Sequence, residues 1–268
     1  MAIDLATLAE RLSDGALVGV PADYSGVPMA LTLALLRRGV RDLRLFCLPT
    51  GSVQVDVLIG AGAVAEIETS AVTLGEFGLA PCFSRAVETG SLVVRDSTCP
   101  AMHAQLTATE RGIPFMPMRG LLGSDIIAHR PDWHVVDNPL RAGDPLVLLP
   151  ATRLDVAIFH APLADAEGNV WIGRRRELAT LAHAAERALV TVEEVVPGSF
   201  FEREATAAGA LSGLYVEAVA IAPRGAAPLG LGDRYGVDAA AMRAYAKAAR
   251  TEAGFAAWLE AALGGVLA

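Results

Sequence analysis

The chain has 268 residues, 53% of them hydrophobic and 19% charged, with a formal net charge of −8. That composition excludes a disordered chain, and the acidic balance argues against a nucleic-acid binder, which needs a basic face. Its three cysteines, Cys47, Cys82 and Cys99, are far apart and form no CxxC pair, which argues against a disulfide framework or structural zinc and for a reducing, cytoplasmic setting.

The opening MAIDLATLAERL carries acids and lacks the basic start and apolar core of a signal peptide. Leu5, Leu8 and Leu12 predict a helix over residues 4–13. Ala16–Val20 reads as a short buried strand, Pro21–Pro28 as a loop, and Met29–Arg38 as a helix stopped by Gly39. Strands are expected at Leu43–Leu48, Val64–Glu68 and Leu92–Arg95, and a helix at Met102–Arg111 ending at Gly112. The Pro- and Gly-rich stretch from Ile113 to Pro150 is long for a plain loop and suggests functional or interface structure.

Further strands are expected at Leu146–Leu149 and Val156–His160, followed by a tight turn at Ala164–Asn169 where Gly168 and Asn169 tolerate positive φ. A helix over Glu177–Ala188, strands at Leu189–Val195 and Tyr215–Ile221, and a helix from Asp238 as cap to Arg250 complete the alternation. Phe255, Trp258, Leu259 and Leu263 form the stripe of a last helix. Apolar strands alternating with helices imply an α/β protein with a mostly parallel sheet covered on both faces, folded as a single domain over residues 1–268. No apolar run reaches the about 18 residues that a membrane-spanning helix needs.

GAGAVA at residues 60–65 imitates a dinucleotide fingerprint, but a strand follows it at Val64 where the fingerprint requires a helix. A Gly-rich turn is the better reading. The five histidines pair neither with cysteine nor with one another at helical spacing, so a metal site is not expected. No GxSxG elbow is present for a serine-triad hydrolase. The run Arg174-Arg175-Arg176 reads as a solvated helix entrance or, alternatively, as a contact to ligand phosphates. Glu193 and Glu194 are adjacent on a strand, so at most one can face a given pocket. An acid at a strand end or in a salt bridge is the simpler reading of each.

Seven stretches, read in order, resemble the A subunit of the family I CoA transferases, the glutaconate CoA-transferase type. They are DGALVGVPADYSGVP at 14–28, DVLIGAGAV at 56–64, GEFGLAP at 75–81, GIPFMPMRGLLGSD at 112–125, ADAEGN at 164–169, TVEEV at 191–195 and ARTEAGF at 249–255. The resemblance implies a Rossmann-like three-layer α/β/α fold, a homologous B subunit joined to this chain in a heteromer, and a site at their interface. It implies acyl-CoA and carboxylic acids as substrates, with coenzyme A a substrate and no other cofactor, metal, membrane or nucleic acid involved. The catalytic glutamate is expected on the partner, with no catalytic residue on this chain. Two segments are expected to bind substrate. One is the loop Asp23, Tyr24, Ser25 and Gly26. The other holds Arg119, Gly120, Gly123 and Ser124, whose glycines let backbone N–H groups approach a ligand. The first loop departs from the family, which often carries Gly-Gly-Phe where this chain has Pro21-Ala-Asp-Tyr24. A related branch of steroid-ring-opening CoA hydrolases is also similar. It places an acid near the strand that here ends in RDSTC at 95–99, where this chain offers Asp96 and Cys99. The alternatives to a transferase are therefore such a thioester hydrolase or ring-opening enzyme, or a non-catalytic sensing or scaffolding protein.

Overall fold

A computed structural model of the protein describes residues 2–264. The first half is a run of helix–strand units: α1 (Leu5–Glu10), β1 (Leu17–Val20), α2 (Met29–Arg38), β2 (Leu43–Cys47), α3 (Val53–Gly60), β3 (Val64–Thr69), α4 (Pro81–Thr89), β4 (Val93–Asp96) and α5 (Cys99–Glu110). Three short strands follow, β5 (Phe115–Met118), β6 (His134–Val136) and β7 (Leu146–Pro150). The chain then returns with β8 (Val156–Asp165), β9 (Val170–Trp171), α6 (Arg176–His183), β10 (Ala188–Val196), α7 (Glu204–Ala207), β11 (Ala210–Leu211), β12 (Val216–Ile221), α8 (Ala239–Ala248) and α9 (Glu252–Leu263).

The main sheet runs β4-β3-β2-β1-β8-β10-β12, with every pairing along that path parallel. Its strands alternate faces. Val18, Val20, Leu45 and Ile158 join one core with Leu8 of α1, Leu31 and Leu35 of α2 and Leu58 of α3. Phe46, Ala157, Phe159 and Ala161 join a second core with Met102 and Leu106 of α5 and Leu178 and Leu181 of α6. The expected three layers are thus present, because period-two strands buried on both faces need helices on both.

Local signals set most boundaries. Gly39 closes α2 in the left-handed region at φ 79°, its N–H donating to the last carbonyls of the helix, Leu35 and Leu36. The Asp238 carboxylate caps α8 through the N–H groups of Ala240 and Ala241, at 3.0 and 2.9 Å. The helix expected through Ala188 stops at His183, because Ala188 starts β10 beside Ala157. The first helix ends at Glu10 rather than 13, and α8 ends at Ala248, after which Thr251 caps a separate α9. Helices α3, α4 and the short α7 add to the expected set; α3 is buried over nearly its whole surface, so it shows no amphipathic period. GAGAVA forms the end of α3 and the turn into β3, which matches the Gly-rich turn reading. The stretch from Ile113 to Pro150 holds a small antiparallel sheet, β5-β7-β6, packed through Leu121, Trp133, Val147 and Leu149 against Ala101 of α5.

A third core lies outside α3, where Tyr245 and Phe255 of the last two helices meet Val53, Val57 and Cys82. At its centre the fully buried Asp56 carboxylate accepts from the Tyr245 hydroxyl at 2.5 Å and from the Phe83 N–H, in the first turn of α4, at 2.7 Å. Burial pushes the Asp56 carboxyl up, and the two donors oppose that shift. Tyr245→Phe leaves the space filled and removes one donor, so it is expected to lower unfolding free energy by about 1–3 kcal/mol in a denaturant titration.

Candidate functional site

The strand order reverses between β1 and β8: strands from the first half extend to one side of that seam and those from the second half to the other. In open parallel sheets the crevice beyond the strand ends at such a point is where ligands bind. Here β8 is long and changes partners. Val156 and Ala157 pair with β1, while Leu163 and Ala164 pair with the antiparallel β9. Between these ladders the loop that follows β1 takes the empty place, and Gly26 O accepts the His160 N–H at 2.7 Å. Gly26 has φ +74°, and a Cβ there would stand 2.0 Å from the His160 carbonyl oxygen. Only glycine permits this approach.

A cavity of about 540 Å³ opens beside the loop. Tyr24, Ser25, Gly26 and His160 form one wall, and Leu163, Trp171, Ile172 and Leu178 supply apolar surface. Arg174 and Arg234 stand exposed at its rim, and the Arg175 guanidinium lies 5.0 Å from the centre of the Tyr24 ring. The arginine run therefore faces a ligand-sized space, which favours the ligand-contact reading of Arg174 and Arg175 over a purely solvated helix entrance. Arg176 differs, bonding the Ala208 carbonyl at 3.0 Å.

The rest of the loop is held from several sides. The Asp23 N–H donates to Thr50 O and the Ser25 N–H to Ala22 O, both at 3.0 Å. The buried Ser25 hydroxyl hydrogen-bonds the Glu177 carboxylate at the start of α6. Asp23 lies off the cavity wall, and burial pushes its carboxyl up.

The second expected segment lies elsewhere. Arg119, Gly120, Gly123 and Ser124 follow β5 in the small sheet, and none lines this cavity. The Arg119 guanidinium grips Asp144 through two bonds of 2.6 Å, and Ser124 caps the short turn of helix at Asp125–His129. Cys99 is exposed at the first turn of α5, and Asp96 ends β4, where its carbonyl accepts from Arg130 at 2.9 Å.

Sequence reasoning did not single out His160, Tyr235 or the loop at Arg224–Ala226. The His160 side chain is buried between Thr191 and Glu193 of β10, with 2.8 Å to each from its two ring nitrogens. Glu193 also accepts from the Tyr235 hydroxyl at 2.7 Å and the Arg224 N–H at 2.9 Å. Glu194 points the other way and is exposed, as strand alternation requires. The pairing of Thr191 with His160 across the ladder depends on strand order, which no local spacing reveals.

The fold and this crevice define an α/β/α protein of the doubly wound kind with a ligand cavity at its switch point. Residues 3–222 match the family model described as Coenzyme A transferase. The chain belongs to that family. It is 29% identical over 249 residues to the A subunit of glutaconate CoA-transferase from Acidaminococcus fermentans, covering 86% of this chain and 77% of the relative. The crystal structure of glutaconate coenzyme A-transferase from that organism superposes with a TM-score of 0.90 at 25% identity, over 97% of this chain and 87% of that one. The cholesterol ring-cleaving hydrolase IpdA subunit of Rhodococcus jostii is 32% identical over 236 residues, 84% of this chain and 78% of its own. A variant of the decarboxylase AibA/AibB matches with a TM-score of 0.87 at 30% identity, over 98% of each chain. No helix among the described residues is long and apolar enough to cross a membrane.

Proposed function

We propose that this chain is the A subunit of a heteromeric enzyme that moves coenzyme A between carboxylic acids, the nucleophilic glutamate coming from a homologous B subunit. The observation that carries this reading is the cavity at the switch point, walled by a loop whose backbone is pinned while its inner face stays open. A carboxylate attacking a thioester forms an acyl anhydride and expels the CoA thiolate. The thiolate then attacks the enzyme carbonyl of the anhydride, forming an enzyme–CoA thioester and freeing the acid, and a second acid reverses the sequence. Each attack passes through a tetrahedral oxyanion, which needs fixed donors in a water-poor site. With the Asp23 N–H taken by Thr50, the Tyr24 N–H turned to the Asp23 carboxylate and the Ser25 N–H taken by Ala22, the Gly26 N–H is the donor this loop offers. Arg174 and Arg234 suit the anionic parts of an acyl-CoA. The segment at Arg119–Ser124 stays in this reading as a second substrate-contact surface, outside the cavity wall.

The similarity to a ring-cleaving hydrolase supports a second reading, thioester hydrolysis or ring opening. The test is to mix the A–B complex with an acyl-CoA, with and without acceptor acids such as acetate or succinate. Transfer predicts ping-pong, acceptor-dependent exchange, lost when the partner's glutamate is replaced. Free CoA released at an unchanged rate without acceptor would establish hydrolysis instead, and binding with no turnover would point to a sensing protein. In the same assay Arg174→Ala combined with Arg234→Ala is expected to raise KM for acyl-CoA about tenfold, with kcat within about threefold, as loss of uniform binding does.

A further inference from the structure

We propose that His160 and Glu193 form a positioning pair that sets the shape of the substrate loop, so that they govern turnover without touching the reacting atoms. The proposal rests on the reading of the Tyr24–Gly26 loop as part of the acyl-CoA site.

His160 meets the loop at two levels. Its backbone N–H donates to Gly26 O at 2.7 Å, and its ring supports the far end of the loop through Gly225. The ring is wedged against the return from β12, where a Cβ on Gly225 would stand 2.6 Å from Cε1 and 2.7 Å from Nδ1. Gly225 O in turn accepts the N–H of Ala30, in the first turn of α2, at 2.9 Å. The loop between β1 and α2 is thereby fastened at both ends to one residue: by Gly26 to the His160 backbone N–H, and by Ala30 through the turn that lies on the His160 ring.

The ring is itself held on both nitrogens. A carboxylate only accepts, so Nε2 carries the proton and donates to Glu193 at 2.8 Å. Burial pushes the imidazole pKa down, against the pull of Glu193, and in the neutral ring Nδ1 accepts from the Thr191 hydroxyl at 2.8 Å. Burial would raise the Glu193 carboxyl, but the Arg224 N–H, Tyr235 and His160 outweigh it and hold the group below the usual carboxylate range. With both nitrogens occupied, His160 has no free site with which to move a substrate proton. Its geometry serves orientation. Glu193 ties the two sides together, because the Arg224 N–H that it accepts at 2.9 Å belongs to the turn on the ring, and Tyr235, which donates to it, also accepts the Ala226 N–H at 3.2 Å.

The experiment uses the assembled A–B complex and three substitutions. His160→Ala removes the ring and is expected to lower kcat about a hundredfold while KM for acyl-CoA changes less than about threefold. His160→Gln, whose amide nitrogen takes the place of Nε2 and can still reach Glu193, is expected to recover turnover to within about tenfold of the native enzyme. His160→Asn, which reaches only toward Thr191, is expected to stay near the alanine variant. Hydrogen exchange supplies the readout that a general packing defect would not give: faster exchange confined to residues 21–28 and 224–226, with β8 and β10 unchanged. If His160→Ala does not assemble, Glu193→Gln tests the same link. Turnover within about threefold of native in the alanine variant would overturn the proposal, and so would faster exchange spread across β8 and β10. Failure of the transferase reading itself is separable, because it would appear as absent exchange activity in the native complex, whereas the loop's exchange pattern still reports on the positioning pair.

Discussion

Gly26→Val is expected to lower turnover of the assembled enzyme by at least about a hundredfold, because the loop must shift by an ångström or more to admit the side chain. The added Cβ would stand 2.0 Å from a strand carbonyl, which is backbone and cannot swing away. Positive φ adds strain of about 1–2 kcal/mol for any residue with a Cβ. Gly62 separates the two effects. It has φ +70° but nothing within 4 Å of its would-be Cβ. Gly62→Ala is therefore expected to show the strain alone, as a lower melting temperature with kcat unchanged. Native kcat in a folded, assembled Gly26→Val enzyme would remove this loop from the site.

Arg130→Met is expected to cost about 3–5 kcal/mol, the range for a buried ion pair stripped of one partner. Arg130 is 2% exposed and bonds Glu68 of β3 at 3.0 Å and the Asp96 carbonyl at the end of β4 at 2.9 Å. It also pairs with Asp132 and lies 4.1 Å from the centre of the Trp133 ring. Together with the Arg95–Asp132 pair at 3.0 Å, this side chain fastens the small sheet to the ends of two main-sheet strands. The pH dependence has a definite sign. Burial pushes the Glu68 carboxyl up and Arg130 opposes it; without Arg130 it rises further. An acid whose folded pKa is raised stabilises below its unfolded value and loses that contribution as pH climbs through the folded one. Thermal unfolding should therefore show a smaller deficit at pH 5 than at pH 8. A deficit that grows on acidification would mean that Glu68 does not carry the uncompensated charge.

Much of the architecture was legible where a residue acts locally. Gly39 and Asp238 mark their helix ends by chemistry confined to one turn, and the apolar strands declare a sheet covered on both faces. Helix α3 escaped because a fully buried helix has no polar face to set a period. The loop at residues 23–26 was reached through its collinear likeness to the family. Apart from Arg174 and Arg175, which the sequence offered as possible phosphate contacts, the remainder of the cavity wall was not, because His160, Trp171, Ala208 and Arg234 meet only through the return of β8 across the seam. Reading Glu193 as an ordinary strand acid was reasonable from neighbours in sequence. Its partners, Tyr235 and the Arg224 N–H, are 42 and 31 residues away.

The small sheet also bears on how such a chain can diverge. Phe115 and Pro150 are partners in one ladder, and the Ala151 N–H returns to Pro114 O at 2.9 Å. The segment thus leaves the main body and re-enters it through the same narrow doorway, and the crossover from α5 to β8 is indifferent to how much chain lies between. Residues can be gained or lost beyond that doorway without disturbing the register of the seven parallel strands. The length of the segment is therefore free to vary while Arg130 keeps it latched.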